Sequence, residues 1–195
     1  MPIETHITVS APAIAEDDLR AWALAHAFEL GTIVLARGVY AHQRMITAHS
    51  AVSLDEALAI AHDHAHSLRS HRIATNRIKL EVPLDDRTHS SEGVYIEQHV
   101  KIFTATTSLP QLSEIAVRLG AHLSRNPSAV ARDGEERFLT QRFAPDSRLA
   151  ADRSLERLLD ALHTKALVVR HVVRERVVYD DHLALDVGWA AEGLR

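Results

Sequence analysis

The stretch "YIEQHVKIF", Tyr95 to Phe103, decides how the chain is read, because nearly the same phrase, "PIETHITV", runs from Pro2 to Val9. Both carry Ile-Glu-x-His followed by alternating apolar and polar residues, 93 positions apart. Alternation with period two marks a β-strand with one buried face. In the first copy Ile3, Thr5, Ile7 and Val9 share a face, and Glu4, His6 and Thr8 take the other. In the second, Ile96, Gln98, Val100 and Ile102 oppose Glu97, His99 and Lys101.

Working outward, each phrase is followed by a helical pattern running to a glycine, "EDDLRAWALAHAFELG" to Gly31 and "LPQLSEIAVRLG" to Gly120, where a helix C-cap wants it. A strand pair comes next in each half, turning near Gly38 in the first and at Asn126-Pro127 and Asp133-Gly134 in the second. Arg44 to Thr47 then aligns with Arg137 to Thr140. Second helices start at Ser53, with Glu56 three residues on, and at Ser154. Closing strands are "NRIKLEV" and "RHVVRERVVYD". The order β-α-β-β-α-β, written twice, predicts an α+β fold of two pseudo-two-fold-related ferredoxin-like halves whose sheets face a shared cleft. The halves are residues 1–84 and 94–195, joined by a linker over 85–93.

Composition bounds the partners. A formal charge of −4 disfavours long nucleic acid and anionic membranes as partners, the absence of cysteine removes disulfides and thiolate chemistry, and no run of 18 uncharged apolar residues signals a membrane span. The expected location is cytoplasmic. Phosphate-binding glycine loops, nucleophile elbows and zincin motifs are lacking.

If both helices cover one sheet face, the polar face of each half lies open. Glu4, His6, Thr8, Arg77, Lys79 and Glu81 then line one surface and Glu97, His99 and Lys101 the other. Arg174 and Arg176 project beside them, and Arg37, Arg125 and Arg137 sit in or near the middle strands. "GAHLSRNP" adds His122, Ser124, Arg125 and Asn126 at a strand end and turn. Such a basic, histidine-containing cleft predicts an anionic small molecule or nucleotide as ligand: Arg and Lys suit phosphate oxygens, histidine donates near neutral pH, and Glu orients it or holds Mg²⁺. No cofactor is specified beyond that Mg²⁺ role and no metal ligand is assigned. His6 and His99 are the acid/base pair if phosphoester hydrolysis occurs. The alternative is a non-enzymatic scaffold or regulatory subunit offering sheet faces or edge strands to a protein partner.

Among the other histidines, His62 and His66 share a flank of the second helix while His64 points elsewhere, which leaves metal binding there undecided. His26 falls in the stripe Leu19, Ala23, His26, Leu30, opposite Ile115 when Gly31 is aligned with Gly120, and reads as a buried core histidine.

"IETHITV", "GAHLSRN", "ERFLTQR" and "LALDVGW" together resemble an uncharacterised bacterial protein family. That resemblance implies the duplicated fold and singles out His6, His99, Lys101, His122, Ser124, Arg125, Asn126, Arg137, Thr140, Gln141, Arg142 and Asp186. His6-Ile7-Thr8 is similar to the His-x-Thr/Ser pair of two-histidine phosphoesterases, with His99-Val100-Lys101 departing from it. Glu97-x-His99-x-Lys101 resembles the Glu-x-Glu-x-Lys of CYTH-type triphosphate-binding proteins, with histidine in place of the central glutamate.

Overall fold

A computed structural model describes residues 2–10, 16–86, 88, 93–131 and 134–188. Residues 87 and 89–92 of the expected linker and Asp133 of the expected turn lie outside them. Among the described residues the order is β1 (Ile3–Ser10), α1 (Glu16–Ala25), β2 (Glu29–Leu35), β3 (His42–Ser50), α2 (Leu54–Ser70), β4 (Ala74–Pro83), β5 (Tyr95–Thr104), α3 (Leu109–Arg118), β6 (His122–Ala131), β7 (Gly134–Phe143), α4 (Arg148–Thr164) and β8 (Val168–Asp180). Short 3₁₀ turns occupy Thr106–Ser108 and Leu183–Asp186.

The strands do not form two open sheets. They close into one antiparallel barrel in the order β1-β3-β2-β6-β7-β5-β8-β4, with β4 returning to β1. The joints the sequence did not show are β2 with β6, paired at Val34–Arg125 and Leu35–Ser124, and β4 with β8, paired from Lys79–Asp180 to Pro83–Glu175. Closure satisfies the backbone groups that four sheet edges would leave bare. It also corrects the functional expectation built on open sheets. Among the described residues there is no cleft between facing sheets, because the polar faces turn into one closed barrel and two pairs of helices pack on its outside.

Helices cover the barrel in two pairs. Ile7, Val9, Ile46 and Ile78 pack beneath Leu19, Trp22 and Ala23 of α1 and Ala61, Ala65 and Leu68 of α2. Val100, Ile102, Leu123 and Leu139 pack beneath Leu112, Ile115 and Ala116 of α3 and Leu158 and Leu162 of α4. Alanines at i, i+4 along α2 let that helix lie close to the strands. Its start is the expected one, the Glu56 N–H donating to Ser53 Oγ at 3.3 Å. The other expected start fails: Ser154 lies inside α4, buried, and its hydroxyl accepts from Gln141 Nε2 at 2.9 Å. Nor is Asn126-Pro127 a turn, since β6 runs through it.

All four helices end on a left-handed residue followed by an N–H that reaches back to the last turn. The terminators are Ala27 (φ 57°), Arg72 (φ 63°), Gly120 (φ 63°) and Ala166 (φ 53°), and the bond after Ala27 is Phe28 N–H to Ala23 C=O at 2.8 Å. Gly120 is therefore a helix terminator as expected, but Gly31 lies inside β2 and Ala27 does the terminating. With that alignment gone, His26 is exposed instead of buried, stacked on the Trp22 ring at 4.1 Å. A side chain in the left-handed region is strained, so Ala27→Gly is expected to raise stability by about 0.5–1 kcal/mol in urea denaturation.

Candidate functional site

Every strand sends alternate side chains into the barrel, where they line a cavity of about 370 Å³. Glu4, His6 and Thr8 come from β1, Arg77, Lys79 and Glu81 from β4, Glu97 and His99 from β5, and Thr140 and Arg142 from β7. The polar face read in the sequence is thus the inner face of a closed barrel. His122, Ser124 and Asn126 of β6 also line the cavity.

The histidines are held alike. His6 Nδ1 lies 2.9 Å from Thr47 Oγ1 and His99 Nδ1 2.9 Å from Thr140 Oγ1, the partners being 41 residues apart in both cases. Each threonine faces its histidine across an antiparallel pair. With Nδ1 engaged, Nε2 of each ring turns to carboxylates. His6 Nε2 is 2.6 Å from Glu81 Oε2 and 3.3 Å from Glu4 Oε1, and His99 Nε2 is 3.7 Å from both Glu97 and Glu175. Donor atoms of Glu81, His99 and Glu175 all lie within 4.8 Å of one another.

Behind this cluster runs a chain of buried ion pairs. Lys79 Nζ sits 3.0 Å from Glu97 Oε2 and 2.7 Å from Glu81 Oε1, the latter an ion pair without hydrogen-bond alignment. Arg142 reaches Glu97 and Asp186, both at 2.8 Å, and its guanidinium lies 3.9 Å from the Tyr95 ring centre. Arg77 pairs with Asp180 and, at 2.9 Å, with Asp186, and Tyr95 donates to Asp180 at 2.7 Å. Asp186 arrives from the 3₁₀ turn after β8, so the tail of the chain closes this end of the network.

The carboxylates are not equivalent. Burial favours the neutral form of Glu81, but Lys79 and His6 outweigh it and hold Glu81 at about 2. Glu97 is likewise held well below the usual range, Arg142 and Lys79 overcoming burial. Glu175 goes the other way. Burial, then the charges of Glu81 and Glu4, push it up to about 9, and the opposing pull of Lys79 does not outweigh them. Burial also lowers His99, against the pull of Glu97 and Glu81, and lowers His122 to about 4.

This inventory shows why the anion reading fails. The cavity wall carries six carboxylates (Glu4, Glu29, Glu81, Glu97, Glu175, Asp186) against three cations (Arg77, Lys79, Arg142), and each cation is already matched to two carboxylates. The remaining expected anion clamps lie outside the cavity wall. Lys101 pairs with Glu136, Arg125 and Arg137 with Glu135, and Arg174 with Asp152. Arg37 is exposed on the loop after β2. In β8 the inward residues are Val173 and Glu175, which puts Arg174 and Arg176 on the outer face. Adjacent valines flank "RER" on both sides, so alternation there does not say which residue points in. Glu175 was missed for that reason. Glu81 and Arg77 were placed on the right face but not recognised as site residues, whereas Thr140, Arg142 and Asp186 came only through the family resemblance.

On α2, His64 packs edge-on against Trp22 and Phe28 at 5.5 and 5.0 Å, and His62 faces Tyr179 at 6.4 Å. Among the described residues the group with metal-binding spacing is in the barrel, not on this helix. No helix is long and apolar enough to cross a membrane.

No family model matches this sequence, and no curated protein matches it. Solved structures with a similar course of the chain include an acetolactate synthase small subunit from Thermotoga maritima, at 12% identity over 92% of this chain and 96% of that one with a TM-score of 0.34. A putative monooxygenase from Fusobacterium nucleatum shares 9% identity over 97% and 98%, with a TM-score of 0.40. A heme-binding protein from Thermus thermophilus shares 11% identity over 90% of each chain, with a TM-score of 0.31. None of these is a two-histidine phosphoesterase or a CYTH-type protein; those resemblances, the two-half duplication and the phosphorylated-ligand reading are withdrawn because the strands close into one barrel whose inner cations are already paired with carboxylates. TM-scores this low transfer no activity in either direction.

Proposed function

We propose that the barrel interior is a metal centre in which Glu81, His99 and Glu175 hold a divalent transition-metal ion beside a small-molecule cavity. The observation that carries this reading is the convergence of those three donors within 4.8 Å on adjacent strands β4, β8 and β5. Two carboxylates and an imidazole suit Zn²⁺, Mn²⁺ or Fe²⁺. A bound ion would supply a Lewis acid at one side of the cavity. The chain's own groups do the rest. Thr140 fixes the His99 ring so that Nε2 faces the carboxylates, His6 hydrogen-bonds Glu81 and sets its orientation, and Lys79 leaves Glu81 ionised and ready to bind. The formal negative excess of the cavity wall supports a cation as occupant, and Glu175, crowded by like charges, is the group an ion would relieve.

The test is calorimetric titration of Mn²⁺, Zn²⁺ and Mg²⁺ into chelator-treated protein. Binding at micromolar Kd or tighter is expected for Mn²⁺ or Zn²⁺, lost in His99→Ala and Glu175→Gln and weakened about 10–100-fold in Thr140→Val. Lys101→Ala, outside the cavity wall, should bind as wild type. Failure of every ion to bind, or binding that Glu175→Gln leaves intact, would overturn the assignment.

A further inference from the structure

Gly31 stands in the interior of β2, opposite Met45 of β3, and lines the cavity. Its backbone is not in the left-handed region, so no turn demands glycine there. A Cβ at this position would meet only the Met45 carbonyl oxygen, at 3.9 Å, an ordinary contact. Glycine weakens a strand, and in a strand interior it often marks a place that something else must approach closely.

The gap borders an apolar group, Ile33, Leu35, Met45 and Phe138, on a wall that also carries Glu29, Gln43, Ser124 and Asn126 and is less charged than the lining from β1, β4 and β5. In the strand order β2 lies four places from β8 in either direction, so this wall faces Glu175 across the barrel. The β2–β6 joint beside it is the shortest among the described residues, two paired positions, and Pro127 of β6 has no N–H with which to extend it. Residues Gly31 to Val34 are only half-buried, consistent with access from this side.

We infer that the cavity takes a small molecule with an oxygen-donor head and an apolar body, the head at Glu175 and His99 and the body against Gly31, Ile33 and Met45, with Gly31 setting the size of body admitted. The head-group half rests on the metal-centre reading and the apolar half does not. The cavity volume is within the range of sites that enclose such ligands.

Two probes separate the halves. With Mn²⁺-loaded protein, octanohydroxamate is expected to bind at least tenfold tighter than acetohydroxamate. Gly31→Leu should erase that difference while leaving Mn²⁺ affinity unchanged, and Gly31→Ala should reduce it. With metal-free protein, 1-hexanol is titrated and the ¹³C-labelled Met45 methyl, one of two methionines in the chain, is followed by NMR. A saturable shift in wild type that Gly31→Leu abolishes supports the apolar wall even if no metal binds. Equal affinity for the two hydroxamates, or a Met45 signal that hexanol leaves unmoved, overturns the inference. Should Gly31→Leu fail to fold, the wild-type chain-length dependence and the Gly31→Ala response decide.

Discussion

Arg142→Met is expected to destabilise the protein by about 3–5 kcal/mol, the largest single-residue effect anticipated here. The Arg142 side chain is 5% exposed and bonds Glu97 and Asp186, whose side chains are 2% and 1% exposed. Methionine fills comparable space but leaves two buried carboxylates with one fewer cation each, Lys79 remaining for Glu97 and Arg77 for Asp186, and the cost lies in that lost compensation rather than in lost packing. Urea denaturation measures it. Adding Glu97→Gln in the Arg142→Met background should recover part of the loss, because one of the buried charges that Arg142 helped to balance goes with it. A loss under about 1 kcal/mol, or strict additivity in the double variant, would show that water reaches this network.

Glu175→Gln should change how stability depends on pH. The carboxyl stands at about 9 in the folded protein against an ordinary value of 4.5. Between those values the folded state keeps a proton that the unfolded chain has released, so stability falls as pH rises through the window, by up to about 1.4 kcal/mol per pH unit. Glutamine never ionises. In chelator-treated samples the variant should match wild type near pH 4 and exceed it increasingly toward pH 8, which denaturation series at three pH values would reveal. Parallel pH profiles for the two proteins would mean that Glu175 ionises normally. The barrel interior carries more carboxylates than arginines and lysines, and each substitution shifts that balance.

Much of the site was legible because it sits on strands with clean alternation. Ile7 and Val9, under α1 and α2, are separated from Glu4, His6 and Thr8 in the cavity as the pattern of "PIETHITV" implied. His99 and Glu97 were legible in the same way. Thr47 came to light only as the position aligned with Thr140, which the family resemblance alone marked as a site residue, since what makes both matter is a histidine on the neighbouring strand. Glu175 left no local mark between two arginines and two pairs of valines, and Gly31 left a misleading one, because glycine after a helical stripe also describes a C-cap.

Which residues share a face, and where strands and helices succeed one another, could be read from the chain residue by residue. Periodicity and capping are local properties, carried by neighbours a few residues apart. That β2 meets β6 and β4 meets β8 emerges on folding alone. Those pairings join distant segments through backbone hydrogen bonds, which carry no residue-specific signature. Closure then reversed the chemistry: on an open sheet the arginines and lysines would face solvent and welcome an anion, whereas inside a barrel the cations are consumed by buried carboxylates and what remains unmatched is negative.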